Sequence, residues 1–217
     1  ALLFEPPGAR GPLVIYVNGA GKAPDAEPGG PIEVLTAAGH RVLALDVRGT
    51  GETSPGAPTN TQTAFKEAFL AIHLNRPLLG QRVFDILSVV GWAANYAGDT
   101  PLHLIGVGSS GPIALHAAAF APRLTRVTLR RTLVSWRNVL QSPFHRDQLA
   151  NAVPGALEVY DLPDLARSLA PRELTLAAPV DARGEPVPLA VAEESYATCR
   201  AAYVALGAGE RFRVSAE

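Results

Sequence analysis

Two serines stand side by side in Gly106-Val-Gly-Ser-Ser-Gly111, between an apolar run and an Ala-rich stretch. A serine hydroxyl on a sharp turn from a strand into a helix is the setting of an acyl-transfer nucleophile. It works only if a base takes its proton and an acid orients that base. Ser109 and Ser110 are the candidate hydroxyls. Asp181, in Pro179-Val-Asp-Ala-Arg-Gly184, is a candidate acid, although Asp also favours turns for its own sake. A base is harder to find, because all five histidines (His40, His73, His103, His116 and His145) precede Asp181. His103 falls within a strand and His116 within a helix, so both read as core or edge residues. His40 belongs to a strand-entry turn. His145, in Ser142-Pro-Phe-His-Arg146, lies on a loop and alone has a route to a cleft.

These groups must be positioned by elements that lie far apart in sequence. Residues 12–18 form a continuous apolar run ending in Gly19-Ala20-Gly21, which reads as a buried strand and a Gly-rich turn. Further strands are expected at 41–46, 102–105, 124–129, 173–178 and 211–215, with an edge strand at 2–5. Helices are expected at 31–38, 63–75, 79–96, 112–120 and 189–206. On the 79–96 helix, Phe84, Leu87, Val90 and Gly91 share a face, and Trp92 reads as core. Residues 48–60 read as loop, and 135–170 as irregular chain with short helices. Strands apolar on both faces and separated by helices imply a parallel sheet covered on both sides. Ligands of such sheets sit beyond the carboxyl ends of the strands. Those ends carry Asn18 to Gly21, Asp46 to Gly51, Gly106 to Gly111, and Asp181, which should meet in space.

In this order and spacing the chain resembles the α/β-hydrolase superfamily from about residue 13 to its end. Asn18-Gly19 stands where that family often has His-Gly. Asp46-Val-Arg48-Gly49-Thr-Gly51 matches an Asp-x-Arg-Gly-x-Gly stretch, and Leu104 to Gly111 falls on the nucleophile elbow. Arg76-Pro-Leu-Leu-Gly-Gln-Arg82 with Asp85, Tyr160-Asp-Leu-Pro-Asp-Leu165 and Ala170-Pro-Arg172 resemble its acetyl xylan esterase-like branch. The resemblance implies an α/β-hydrolase fold, a mostly parallel sheet of about six to seven strands with helices on both faces. It implies an oxyanion site at the amides of Gly19 or Ala20 and of Ser110, Asp181 as the triad acid, and an exported or periplasmic location. Trp136 and Tyr160 are candidates for lining a sugar cleft, Trp136 the better of the two.

The elbow departs from the family pattern. A gap-free reading of Gly-x-Ser-x-Gly places Gly108, which has no side chain, at the nucleophile position. A shift by one makes Ser109 the nucleophile but puts Val107 where a small residue is wanted. With no shift, Ser109 and Ser110 are expected to cap the following helix. The favoured reading is therefore a domain related to carbohydrate esterases that lacks a working triad and serves as a binding or structural domain. The alternative is an active serine carboxylesterase that deacetylates a carbohydrate, with Ser109 as nucleophile, Asp181 as acid and a histidine beyond Glu217. Asp46 with Arg48, and Arg82 with Asp85, are expected as ion pairs or loop ties.

Composition bounds the rest. A formal charge of −1 argues against nucleic acid or an anionic membrane as partner. With 47% hydrophobic and 18% charged residues the chain is not disordered in composition, and 20 glycines plus 19 prolines predict many tight loops. The single Cys199 excludes an internal disulfide and reads as a small buried hydrophobe. No His/Asp/Glu cluster has metal-ligand spacing, and no cofactor is implied. No apolar run approaches the roughly 20 residues of a membrane span. The 217 residues read as one α/β-hydrolase-like domain, which begins at Ala1 with no methionine and is expected to be a segment of a longer polypeptide. The expected partners are a small-molecule or carbohydrate ester and a neighbouring domain.

Overall fold

Each of the apolar runs becomes a strand of one sheet. The structure, a computed structural model, describes residues 1–54 and 61–217, with 61–64 described as backbone alone. The strands are β1 (Leu2–Phe4), β2 (Leu13–Asn18), β3 (Arg41–Leu45), β4 (Leu102–Val107), β5 (Leu124–Arg130), β6 (Glu173–Ala177) and β7 (Phe212–Ser215). Their spatial order is β1-β3-β2-β4-β5-β6-β7. All neighbours are parallel except β1, which runs antiparallel to β3. The expected loop at 48–60 is described only to residue 54; the remainder, 55–60, lies outside the described residues.

Helices cover both faces of the sheet, which is why its central strands need no polar side. They are α1 (Pro31–Ala37), α2 (Thr61–His73), α3 (Leu78–Ala97), α4 (Gly111–Phe120), α5 (Trp136–Gln141), α6 (Leu162–Arg167), α7 (Leu189–Ser195) and α8 (Ala197–Ala205). Leu13, Ile15 and Val17 of β2 pack with Leu43, Leu104 and the inner sides of α3 and α4. Val14 and Tyr16 point the other way and pack with Val42, Ala44 and Ile32 of α1. Alternation across a strand thus splits one apolar run between two cores. Among the described residues, no helix is long and apolar enough to cross a membrane.

Two helices differ from the sequence expectation. On α3 the buried stripe is Leu79, Val83, Ile86, Val90 and Ala93, while Phe84 is 66% and Trp92 48% exposed. Trp92 is therefore not a core residue; it stacks on Tyr96 at the surface. Both stripes of this helix are apolar, so a 3.6-residue period fits either one. The expected helix at 189–206 is two helices, broken at Tyr196, whose ψ of 15° leaves α geometry. Tyr196, Cys199 and Tyr203 are all buried in the core, at the spacing of one helix face. Burial pushes the Cys199 thiol up to about 12, as befits a packing residue.

Helix α4 approaches β4 closely at Gly106. A Cβ added at Gly106 would lie 2.6 Å from the Cβ of Ala114 and 3.2 Å from the Ser110 carbonyl oxygen. Gly106→Ala should therefore cost about 1–3 kcal/mol in urea-unfolding measurements. Ala114→Gly in the same chain should recover part of that loss, a coupling that distant sites do not show.

Candidate functional site

β4 runs unbroken to Val107, which pairs with Asn18 on one side and Arg130 on the other. No register shift at the end of the strand moves a serine into the first position of the turn. That position is Gly108, with φ of +60°, followed by a single 3₁₀ turn over Gly108–Ser110 and then α4. A left-handed residue at a strand-to-helix turn suits glycine and strains other residues. A Cβ built on Gly108 would meet nothing within 4 Å. The elbow thus aims its first residue into open space, and that residue carries no reactive group.

The two serines point elsewhere. A Cβ on Gly19 would lie 2.0 Å from Ser109 Oγ, so Ser109 presses its hydroxyl against the backbone of the first Gly-rich turn. The Ser109 carbonyl accepts a 2.9 Å hydrogen bond from Nδ2 of Asn151, a fully buried residue. Ser110 is also fully buried, and its Oγ has no partner among the described residues. Neither serine caps α4 through its side chain, contrary to the sequence expectation. Ser110 has helical dihedrals (φ −80°, ψ −9°), whereas a capping residue is extended.

Two of the expected oxyanion donors, the amides of Gly19 and Ala20, are already engaged. The Gly19 N–H donates to Val107 O at 3.1 Å, and the Ala20 N–H donates to Asn18 Oδ1 at 2.9 Å. Asn18 Nδ2 and the Tyr16 hydroxyl both donate to Asp25 Oδ2, at 2.5 and 2.8 Å. Beyond Gly21 the loop is anchored by Lys22. Its amide and its ammonium reach the two carboxylate oxygens of Asp46 at 2.7 and 2.8 Å, and the ammonium also meets Glu52 at 2.7 Å. The Lys22 and Asp46 side chains are 6% and 2% exposed. Asp46 therefore pairs with Lys22 and not with Arg48. Arg48 instead forks onto Asp85 and Gln81, and Arg82 donates to the Arg48 carbonyl. Sequence reasoning identified these four charges as ties but exchanged their partners, and it missed Lys22, which lies on a loop with no periodic signal.

Asp181 follows β6 as expected, but it serves its own turn. Its Oδ1 accepts the amides of Arg183 and Glu185 at 2.8 and 2.9 Å, and its amide donates to Glu185 O. No histidine bonds to it among the described residues. His116 is held between Pro112 O (2.7 Å) and the Tyr160 hydroxyl (2.8 Å). A carbonyl only accepts, so Nδ1 carries the proton and Nε2 accepts from Tyr160. Burial lowers the pKa of His116 despite the Pro112 bond, and burial takes that of His103, beside Thr128, down to about 4. His145 is on an exposed loop. Trp136 is 7% exposed and packs in a three-ring cluster with His116 and Tyr160, at centroid distances of 5.4 and 5.6 Å.

The mostly parallel seven-stranded sheet with helices on both faces agrees with a family comparison. The family model for the alpha/beta hydrolase fold matches residues 12–208. The chain belongs to the alpha/beta hydrolase fold family. Among solved structures it is similar to a candidate acetyl xylan esterase from Bacteroides fragilis (TM-score 0.79, 14% identity, covering 98% of this chain and 61% of that one). It is also similar to a glucuronoyl esterase from Caldicellulosiruptor kristjansonii (TM-score 0.62, 15% identity, 99% of this chain and 66% of that one). A third is the glucuronoyl esterase catalytic domain from Hypocrea jecorina (TM-score 0.57, 16% identity, 99% and 63%). The chain thus spans about three fifths of the length of the Bacteroides protein. No curated protein sequence matches it.

Two measurements probe the geometry of this alpha/beta hydrolase elbow. Gly108→Ser should fold and lose about 1–2 kcal/mol, the strain of a left-handed non-glycine residue. Gly111→Ser should lose much more, because its Cβ would fall 2.0 Å from Thr132 Oγ1. Thermal melts of the two variants distinguish these outcomes. The second measurement concerns Asp46. Burial opposes its ionisation, but the Lys22 side chain and the Glu52 and Lys22 amides outweigh burial and lower its pKa. A lowered folded-state pKa contributes stability that is complete above the ordinary carboxylate value and is lost as pH falls through the lowered one. Asp46→Asn should cost about 3 kcal/mol at pH 7. It should also flatten the loss of stability below about pH 4, read from urea midpoints across pH.

Proposed function

We propose that this domain is a non-catalytic member of its fold family, related to carbohydrate esterases and acting as a binding or structural domain. The observation that carries the reading is Gly108 in the left-handed position of the elbow, with open space where a nucleophile would project. Two further features support it. The amides of Gly19 and Ala20 are engaged in internal hydrogen bonds, and the Oδ1 oxygen of Asp181 holds the amides of its own turn, with no histidine bonded to the carboxylate among the described residues. Loss of the serine alone costs about 10⁶ in turnover in a well-studied triad enzyme. The esterase neighbours suggest a carbohydrate or its ester as the ligand class, and a neighbouring domain as the structural partner.

A second reading keeps catalysis on Ser109, and one observation favours it: the hydroxyl lies against the Gly19 turn, beside the elbow. That reading needs a base from outside the described hydrogen bonds of Asp181, and it needs the Gly19 or Ala20 amide to be released. One experiment separates the two. The full-length protein is assayed with p-nitrophenyl acetate and acetylated xylan, and treated with a fluorophosphonate that labels activated serines. The non-catalytic reading expects no labelling and no change in background hydrolysis in Ser109→Ala. Stoichiometric labelling of Ser109, together with turnover abolished in Ser109→Ala, overturns it in favour of the esterase.

A further inference from the structure

We propose that the free edge of β7 docks an acidic, extended segment of another polypeptide, which adds to the sheet beside Val214. The site lies three strands from β4 in the sheet order and does not depend on the reading of the elbow. Strand β7 is last in the sheet, with β6 on one side and no strand on the other among the described residues. The Ala178 N–H donates to Ser215 O at 2.8 Å, so Ser215 faces the β6 side. Backbone groups alternate along a strand. Arg213 therefore faces β6 as well, and the groups of Phe212 and Val214 face outward. Those of Phe212 are engaged: its amide donates to Gly209 O, and Arg200 reaches its carbonyl at 3.5 Å. Val214 is left to present one donor and one acceptor side by side, the pair that an incoming strand satisfies.

The chemistry around that pair selects the occupant. An open depression of about 660 Å³ runs along the edge, lined by β7, by Arg200 and Val204 of α8, and by Glu210. Arg200 lies over the Phe212 ring, 5.1 Å from its centroid. Arg213, the next residue along the strand, is directed to the opposite face of the sheet. The edge thus carries one guanidinium on each face. An added strand also sends successive side chains to opposite faces, so two consecutive acidic residues meet one arginine each. A protective surface charge of the kind that blunts exposed edges accounts for Arg213 but not for Arg200, which is half-buried along the groove. A second copy of this chain fits less well, because it would set two such arginine pairs along one edge and like charges there repel.

The test uses the full-length protein and a fluorescein-labelled peptide, acetyl-Thr-Val-Glu-Glu-Val-Thr-amide, followed by anisotropy at low salt. Saturable binding is expected, weakened about threefold to fivefold by either Arg200→Gln or Arg213→Gln. The corresponding Lys-Lys peptide should not bind. Val214→Pro should abolish binding, because it removes an N–H that faces away from the sheet. The Val214 side chain packs against the core, so a small fall in melting temperature is expected, and Val214→Ala, which loses the same packing but keeps the N–H, should still bind. The proposal is overturned if the acidic peptide does not bind, or if both arginine variants bind it as well as the parent. It is equally overturned if the Lys-Lys peptide binds as tightly, or if sedimentation shows self-association that Val214→Pro removes, which assigns the edge to a second copy.

Discussion

Helix α4 can lie against β4 and the segment that follows β5 only because Gly106 and Gly111 have no side chains. One would otherwise collide with Ala114 and the other with Thr132. This close approach fixes where the strand must end and the helix begin, and three residues are left to make the turn. A turn that tight needs one left-handed residue, and Gly108 supplies it. Ser109 then falls against Gly19, a third position where any side chain would clash. The elbow is thus determined by packing between backbones. Its shape does not depend on whether the residue at its apex can react.

The loop facing the elbow is held by a different kind of constraint. Asp46 is removed from water, and its two oxygens are satisfied by Lys22 and by the amides of Lys22 and Glu52. A buried charge must be met on all sides or it neutralises, so this carboxylate locks the stretch after Gly21 to the stretch after β3. The Gly19 and Ala20 amides of the neighbouring turn are held by the Val107 carbonyl and the Asn18 side chain. A working oxyanion site keeps such donors free and pays for that in stability. In this structure both amides have partners within the fold.

The strands were legible because burial on both faces leaves an unmistakable mark, a run such as Leu13 to Asn18 with no polar alternation. The order of strands and Gly-rich turns was enough to assign the fold. Other features left no local trace. The α3 stripes are both apolar, so only the neighbours of α3 decide that Val83 goes in and Phe84 stays out. Charge partners could not be read, since Asp46, Arg48, Arg82 and Asp85 offer several pairings and Lys22 wins one of them from 24 residues away. Asn151 braces the Ser109 carbonyl from across the chain, which no spacing rule anticipates. The serines failed as caps for a subtler reason: the turn begins one residue earlier than a cap allows, so Ser110 is already helical.

The open space at Gly108 also bears on how such a domain persists through descent. An elbow with a serine stores backbone strain, and selection for turnover is what keeps that strain in place. Where turnover is not selected, glycine at the apex is the unstrained choice, and drift runs toward it. Nothing else in the fold needs to change, because the neighbouring contacts belong to residues 106, 109 and 111. The scaffold therefore stands one substitution away from presenting a hydroxyl at that apex.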